Sequence, residues 1–373
     1  MRILIAPDKF KGTLTGAEAA EAMAAGVRRV LPDAHLTLQP IADGGEGTLE
    51  AVLAAGGDRR QTRVRGPLTD WVDAPWALTG FTAVIETARA SGLEFITPSG
   101  ATAGSAHCYG SGELLAAALD AGATEIVLGV GGSAMTDGGS GALRALGAKI
   151  LDDDGGELPL GGLALARAAA LDLSGLDPRL HRVRLRIAVD VQNPLFGPDG
   201  AAHVFGGQKG ADAGLRTELD AALTRWAQLL ENTTGVDVQQ PGAGAAGGFP
   251  AAFLACTKAS LEPGFELVAG LTGLDEKLAH ADVVLTGEGS LDAQSQFGKA
   301  PLGLADRARD LGLPVLAVAG RITLSDADLA AHGVVQARSL ADAAPSIAAA
   351  MDGAAGYAAD ASEAVLRALL SNS

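Results

Sequence analysis

An α/β architecture is what this sequence predicts: a doubly wound parallel-sheet domain, discontinuous in the chain, with a second α/β domain of mixed sheet inserted into it. Three observations point there. Both ends of the chain alternate short aliphatic runs with helix-period segments, as βαβ units do. Between them come three successive strand-like runs with no helix, the pattern of antiparallel pairing. And 373 residues exceed what one ordinary core organises. Composition agrees, because 48% hydrophobic residues suffice for two cores, while 4% aromatics and 51 glycines make those cores aliphatic and the crossover loops glycine-rich.

Taken in order, residues 2–7 read as a short buried strand, 16–31 as a helix rich in Ala and Val, 35–41 as a second strand, and the chain from Gly45 onward as a second helix. Residues 61–65, 71–78 and 81–87 are the three runs that open the insert, and 125–130 and 184–189 are further strands within it. The βα grammar then returns, with strands at 282–285, 314–319 and near 334–336, and helices around 302–310, 326–331 and 354–370. The expected division is residues 1–60 plus 281–373 as a flavodoxin-like domain, with 61–280 as the inserted mixed α/β domain. No internal repeat is found.

Twenty-eight basic against 44 acidic residues leave a formal charge of −16, a field that repels a nucleic-acid backbone and an anionic membrane surface. Neither is expected as a partner. An anionic ligand must then be held locally, by helix N-termini, placed lysines or a metal ion. Cys108 and Cys256 are far apart and belong to no CxxC pattern, which excludes a disulfide framework or zinc site and leaves two buried thiols. The opening MRILIAPDKFKG has no signal-peptide pattern, and no apolar run reaches the roughly 18 residues of a membrane helix, so a cytoplasmic location is expected. An oligomer is neither required nor excluded.

The lysines are the most informative residues. Of seven, Lys9, Lys11, Lys209 and Lys299 lie in glycine-bearing loops, as anion contacts do, where a merely solvated surface scatters lysines along helix faces. Asp8-Lys9-Phe10-Lys11-Gly12-Thr13 follows the first strand at the carboxyl edge of the sheet, the usual ligand edge; Thr13 and Thr15 are also candidates to cap the next helix. Asp43-Gly44-Gly45-Glu46-Gly47 again joins a strand to a helix, its acids facing a metal or hydroxyl or else serving as helix caps. Gly131-Gly132-Ser133-Ala134-Met135-Thr136-Asp137-Gly138-Gly139 has the composition of a loop whose amides wrap phosphate oxygens. Read from Gly129 it loosely matches a dinucleotide fingerprint, but Gly138 and Gly139 delay the helix that fingerprint needs.

Asp190-Val191-Gln192-Asn193 at a strand end, followed by Lys209, can bind a metal, orient a hydroxyl and meet phosphate; an Asx-turn before Pro194 is the alternative. In Thr286-Gly287-Glu288-Gly289-Ser290-Leu291-Asp292 through Ser295, Gly298 and Lys299, Ala300 stands where a Walker loop has Ser or Thr, which leaves a phosphate loop of another kind. Gly242 to Gly248 carries no ionisable group and serves through backbone amides or close packing.

Together and in order, APDKFKGTLT, PIADGGEGT, ETARASGL, YGSGELL, GVGGSAMTDGG, DVQNPLFG, VFGGQKGA, PGAGAAGG and TGEGSLDAQSQFGKAP resemble the blocks of the bacterial glycerate kinase family over nearly the whole chain. Ala106-His107-Cys108 and Gly207 depart from the family's usual Thr-Ser and Pro without removing a charged group. The resemblance implies a glycerate 2-kinase that moves the γ-phosphate of ATP to D-glycerate with Mg²⁺, giving 2-phosphoglycerate. It implies Asp190, Lys209 and Lys9 as catalytic residues, and Lys11, Asp43 and Asn193 as substrate contacts. Gly131, Gly132, Ser133, Asp137, Ser295 and Lys299 fall to the nucleotide, and Glu288 and Asp292 to the metal, with Asp43 as an alternative ligand. Two other classes fit parts of the pattern, a non-catalytic sensor of an anionic metabolite and a nicotinamide-dependent dehydrogenase.

Overall fold

The computed structural model describes residues 1–293, 295 and 300–371. In chain order its strands are β1 (Arg2–Pro7), β2 (His35–Leu38), β3 (Asp58–Arg65), β4 (Trp71–Thr79), β5 (Thr82–Glu86), β6 (Glu125–Gly129) and β7 (Lys149–Leu151). Then follow β8 (Ala170–Asp172), β9 (Arg184–Ala188), β10 (Ser260–Glu262), β11 (Val283–Leu291), β12 (Val315–Ile322) and β13 (Val334–Ser339). The chain divides into two compact units, one of residues Met1–Asp43, Glu50–Gly56 and Phe265–Ser373, the other of Gly44–Leu49 and Gly57–Gly264.

The first unit is built on a five-stranded sheet in the order β13-β12-β11-β1-β2, every neighbouring pair parallel. Counted along the chain this is 2-1-3-4-5, the flavodoxin-like order that the sequence predicts. Alternation along the strands fills both faces. Ile3, Ile5, Leu285 and Val318 pack with Met23 and Val27 of the helix Gly16–Val30 and Val365 and Leu366 of the helix Ala354–Ser371. Leu4, Val284 and Ala317 face the opposite layer, with Leu302 and Leu304 of the helix Ala300–Asp310. The helix Gly16–Val30 starts at a capping box, in which Thr15 Oγ1 accepts from the Glu18 amide at 3.2 Å and the Glu18 carboxylate accepts from the Thr15 amide at 2.8 Å.

Two expectations shift here. The boundary read near 280 lies at 264/265, because Phe265, Ala269, Leu274 and Leu278 bury in the same cluster as Leu4 and Ala6. And Thr286 to Leu291, read as a loop, continues β11, pairing Glu288 with Ala319 and Ser290 with Arg321. The glycines that suggested a loop serve a close strand approach, since a Cβ on Gly287 would stand 1.8 Å from the Val318 carbonyl oxygen.

The second unit holds a six-stranded sheet in the order β10-β9-β6-β5-β4-β3. β3, β4 and β5 pair antiparallel, whereas β5, β6, β9 and β10 are parallel. Ile85, Leu128, Leu185, Trp226, Phe249 and Phe253 belong to its core. The long helix Ala213–Thr234 is capped at its start by Asp212, whose Oδ1 accepts from the Leu215 amide at 2.8 Å, and stopped by Gly235 in the left-handed region. No helix among the described residues is long and apolar enough to cross a membrane.

Candidate active site

In the first unit the strand order reverses between β1 and β11, and their carboxyl ends carry the charged residues. The two strands are stitched there by the Asp8 amide donating to the Gly287 carbonyl at 2.8 Å. Asp8 is buried, 6% exposed, and its Oδ1 accepts from the Lys9 amide at 2.6 Å, with the Lys9 ammonium at 3.7 Å. Burial pushes its carboxyl up to about 7; Lys9 opposes that shift, while Asp43 and Glu288 add to it. Glu288 Oε1 accepts from the Ser295 hydroxyl at 2.7 Å, and Asp292 Oδ2 from the Ser290 hydroxyl at 3.1 Å. The donors are all oxygen, the type Mg²⁺ takes, and Asp8, Asp43, Glu288 and Asp292 are the carboxylates that would hold it. No cluster of three or more metal-ligating side chains forms among the described residues.

In the second unit the parallel strands end level, Glu86 paired with Gly129 and Gly129 with Ala188. After β6 the chain forms the loop from Gly131 to Gly139. Leu93 donates to the Gly132 carbonyl and Ala134 to the Ser91 carbonyl, both at 2.9 Å, an arrangement that turns the intervening Ser133 amide away. Among the described residues the amides of Gly131, Gly132 and Ser133 donate to no backbone carbonyl, and both glycines are exposed. Successive backbone N–H groups of this kind are what anion-binding concavities in proteins are built from. The buried hydroxyls of Thr87 and Thr136 at the same edge also have no hydrogen-bond partner among the described residues.

Two charges lie behind this loop. Lys209 is 1% exposed and donates to the Met135 carbonyl at 2.5 Å and the Ser133 hydroxyl at 3.4 Å. Burial lowers its pKa to about 8, against the opposing pull of Asp137. Asp137 is fully buried; its Oδ1 accepts from the Gly139 amide at 3.3 Å, and its Oδ2 from the amides of Cys108 and Gly141 at 3.0 and 3.2 Å and from the Cys108 thiol at 3.2 Å. Burial, then Asp137, raises the Cys108 thiol well above its ordinary range. The run from Gly242 to Gly248 closes the same side by packing: Gly138 donates to the Gly247 carbonyl at 3.0 Å, and a Cβ on Gly247 would stand 2.0 Å from the Met135 carbonyl oxygen.

The expected site residues thus separate into groups. Lys9, Asp43, Glu288, Asp292 and Ser295 gather at the β1/β11 edge, Ser295 through its bond to Glu288. Lys11, in the same loop, is exposed. Gly131, Gly132 and Ser133 line the second-unit loop. Lys209 and Asp137, expected to face ligands, are turned inward and bonded to that loop's own backbone, because its tight turn brings amides and carbonyls to its inner side. Asp190 is exposed, its Oδ1 accepting from the Gly264 amide at 2.8 Å. Asn193 closes its own turn, donating to the Asp199 carbonyl at 2.8 Å. Lys299 lies outside the described residues.

Sequence reasoning left Asp8, Glu86 and Arg89 without roles. Glu86, 2% exposed, accepts from the amides of Gly47 and Leu49 at 3.0 and 2.9 Å and from Arg89 Nε at 2.7 Å, and so holds the turn between Gly44 and Leu49. The signal was present: an acid closing an apolar strand, with arginine three residues on, is a buried pair in waiting.

The sequence model of the Glycerate kinase family matches residues 3–370. Over 338 residues the chain is 44% identical to glycerate 2-kinase of Escherichia coli (strain K12), covering 90% of this chain and 89% of that one. Over 342 residues it is 44% identical to glycerate kinase of Halalkalibacterium halodurans, covering 91% and 90%. A crystal structure from Salmonella typhimurium LT2, assigned as glycerate kinase 2, superposes with a TM-score of 0.87 at 41% identity, covering 100% of this chain and 99% of that one. A match running from the first strand to the last helix, through both charged edges, leaves one conclusion: the chain belongs to the glycerate kinase family.

Proposed function

We propose that this kinase transfers the γ-phosphate of ATP to D-glycerate in the presence of Mg²⁺, forms 2-phosphoglycerate, and works in the cytoplasm. The observation that carries the reading is the run of amides at Gly131, Gly132 and Ser133 that donate to no backbone carbonyl among the described residues, the two glycines exposed and Ser133 buried behind them, an anion cradle on a chain whose net charge of −16 would otherwise repel anions. Phosphoryl transfer asks the protein for little covalent chemistry; it must place the hydroxyl in line, neutralise the transferring oxygens and exclude water. In this reading the amides receive phosphoryl oxygens, and Lys9 and Lys11 meet the glycerate carboxylate or the phosphate. Asp190, exposed and oriented by the Gly264 amide, accepts the hydroxyl proton. Asp43, Glu288 and Asp292, with Asp8, hold the Mg²⁺ ion, which supplies charge neutralisation on the phosphates. Lys209 acts from behind the cradle and not on the substrate. Two buried thiols suit a reducing compartment.

The test is turnover of ATP and D-glycerate with Mg²⁺, read by phosphorus NMR, with L-glycerate and no acceptor as controls. The 2-phosphoglycerate signal is expected; 3-phosphoglycerate would overturn the regiochemistry, and no turnover by folded protein would overturn the reading. Asp190→Asn in the same assay is expected to lower kcat by about 10²-fold or more, with the circular dichroism spectrum unchanged. A near-normal kcat would remove Asp190 from the role of base.

A further inference from the structure

A cavity of about 180 Å³ in the first unit is lined by residues to which the reaction chemistry assigns no role, Lys11 apart. It opens beside the carboxyl half of β11 and β12, at the edge where the strand order reverses, and adjoins the carboxylate group through two short stretches of chain, Asp8 to Lys11 and Glu288 to Gly289. Its volume falls below the roughly 300–1,000 Å³ of pockets that take a whole drug-sized ligand, so it suits one ring system of a larger molecule.

Its walls specify which kind. Phe10 and Leu340, 2% and 1% exposed, form a fixed apolar lining, and Ile347 and Met351, 68% and 49% exposed, are large apolar side chains left in solvent at its rim. One side is bare backbone, because β11 and β12 approach so closely that a Cβ on Gly320 would stand 2.5 Å from the Gly289 carbonyl oxygen. Lys11 and Arg321, both exposed, add two cations to this apolar lining. A small apolar cavity edged by cations complements a heteroaromatic base carrying phosphate.

We propose that this cavity holds the purine base of the nucleotide, with Lys11 and Arg321 meeting the phosphates nearest the sugar. The inference rests on the kinase reading and adds the site that recognises the base. It also accounts for the neighbouring carboxylates, since a phosphate chain leaving the cavity past Lys11 runs towards Asp8 and Glu288, the acids assigned to Mg²⁺.

Two variants of the full chain test it. Ile347→Trp places an indole at an exposed rim position, whereas Trp71, Trp76 and Trp226 all lie in the second unit. Saturable energy transfer from the introduced indole to N-methylanthraniloyl-ADP is expected, abolished by excess unlabelled ADP. Ala341→Phe fills the cavity from a half-buried position, and is expected to raise the calorimetric Kd for ADP about tenfold or more while glycerate affinity stays within about twofold. ADP binding by both variants as in wild type, with no specific transfer, would overturn the cavity and leave the kinase reading standing. Wild-type protein that neither binds ADP nor turns over would overturn both. If Ala341→Phe loses its native circular dichroism, the energy-transfer result alone decides.

Discussion

Lys209 shows how much of a residue's setting its sequence neighbours reveal. Its place in a glycine-rich loop was legible in the sequence; the direction of its side chain was not, because direction follows from how the Gly131–Gly139 turn presents Met135 and Ser133 to it. The same holds for Asp137, whose oxygens meet amides that exist only once the loop is folded. A buried lysine of pKa about 8, against 10.5 unperturbed, is charged below that pH and neutral above it. By linkage its burial costs stability while the native form carries the charge, and that cost fades as pH rises from about 8 through 10.5. If the ammonium braces the cradle, kcat/KM should fall as pH rises through about 8. Lys209→Arg, charged throughout, is expected to move this alkaline limb upward by more than about one unit, and Lys209→Met to be low at all pH. An alkaline limb unchanged in the arginine variant would show that Lys209 does not set it.

Among the elements, the long alternating strands were readable and the short or glycine-bearing ones were not. β1 was bounded correctly because its aliphatic run is buried on both faces, whereas β10 has three residues and no pattern of its own. What locates β10 is a long-range ion pair. Arg186 of β9 donates to Glu262 at 2.5 Å and to Glu125 of β6 at 3.1 Å, and the Arg186 bond holds the Glu262 carboxyl down at about 2. The turn between Gly44 and Leu49 likewise depends on a partner distant in sequence, Glu86. Glu86→Gln keeps the shape but weakens the charge-assisted bonds, a loss of about 1–3 kcal/mol. Amide exchange at Gly47 and Leu49 is therefore expected to quicken by roughly tenfold or more, while an amide in the β1 strand keeps its wild-type rate. Unchanged exchange at both positions would mean that the turn is held by other contacts.

Over the whole molecule, the interruption of a parallel-sheet domain by a second sheet was readable from the change of rhythm after residue 60. The crossing points were not, because whether Phe265 to Leu278 joins one core or the other is decided by packing and not by periodicity. Charge also acts at this scale. A net −16 opposes the approach of glycerate and ATP, and salt screens that field, the Debye length shrinking from roughly 30 Å at 0.01 M to 10 Å at 0.1 M. KM for glycerate is expected to fall over this range, with sodium chloride and potassium acetate agreeing; a rise would show that the site's own cations outweigh the global field. The six residues Gly44–Leu49 have a further consequence for anyone handling the protein as parts. The second unit looks like a cassette that could be cut at residues 57 and 264 and moved elsewhere, yet one of its pieces is encoded upstream of the cut. A transplanted cassette would arrive with Glu86 facing no Gly47 or Leu49 amide, so exchange of this insert between genes would have to carry the preceding turn with it, or find a replacement for it in the recipient.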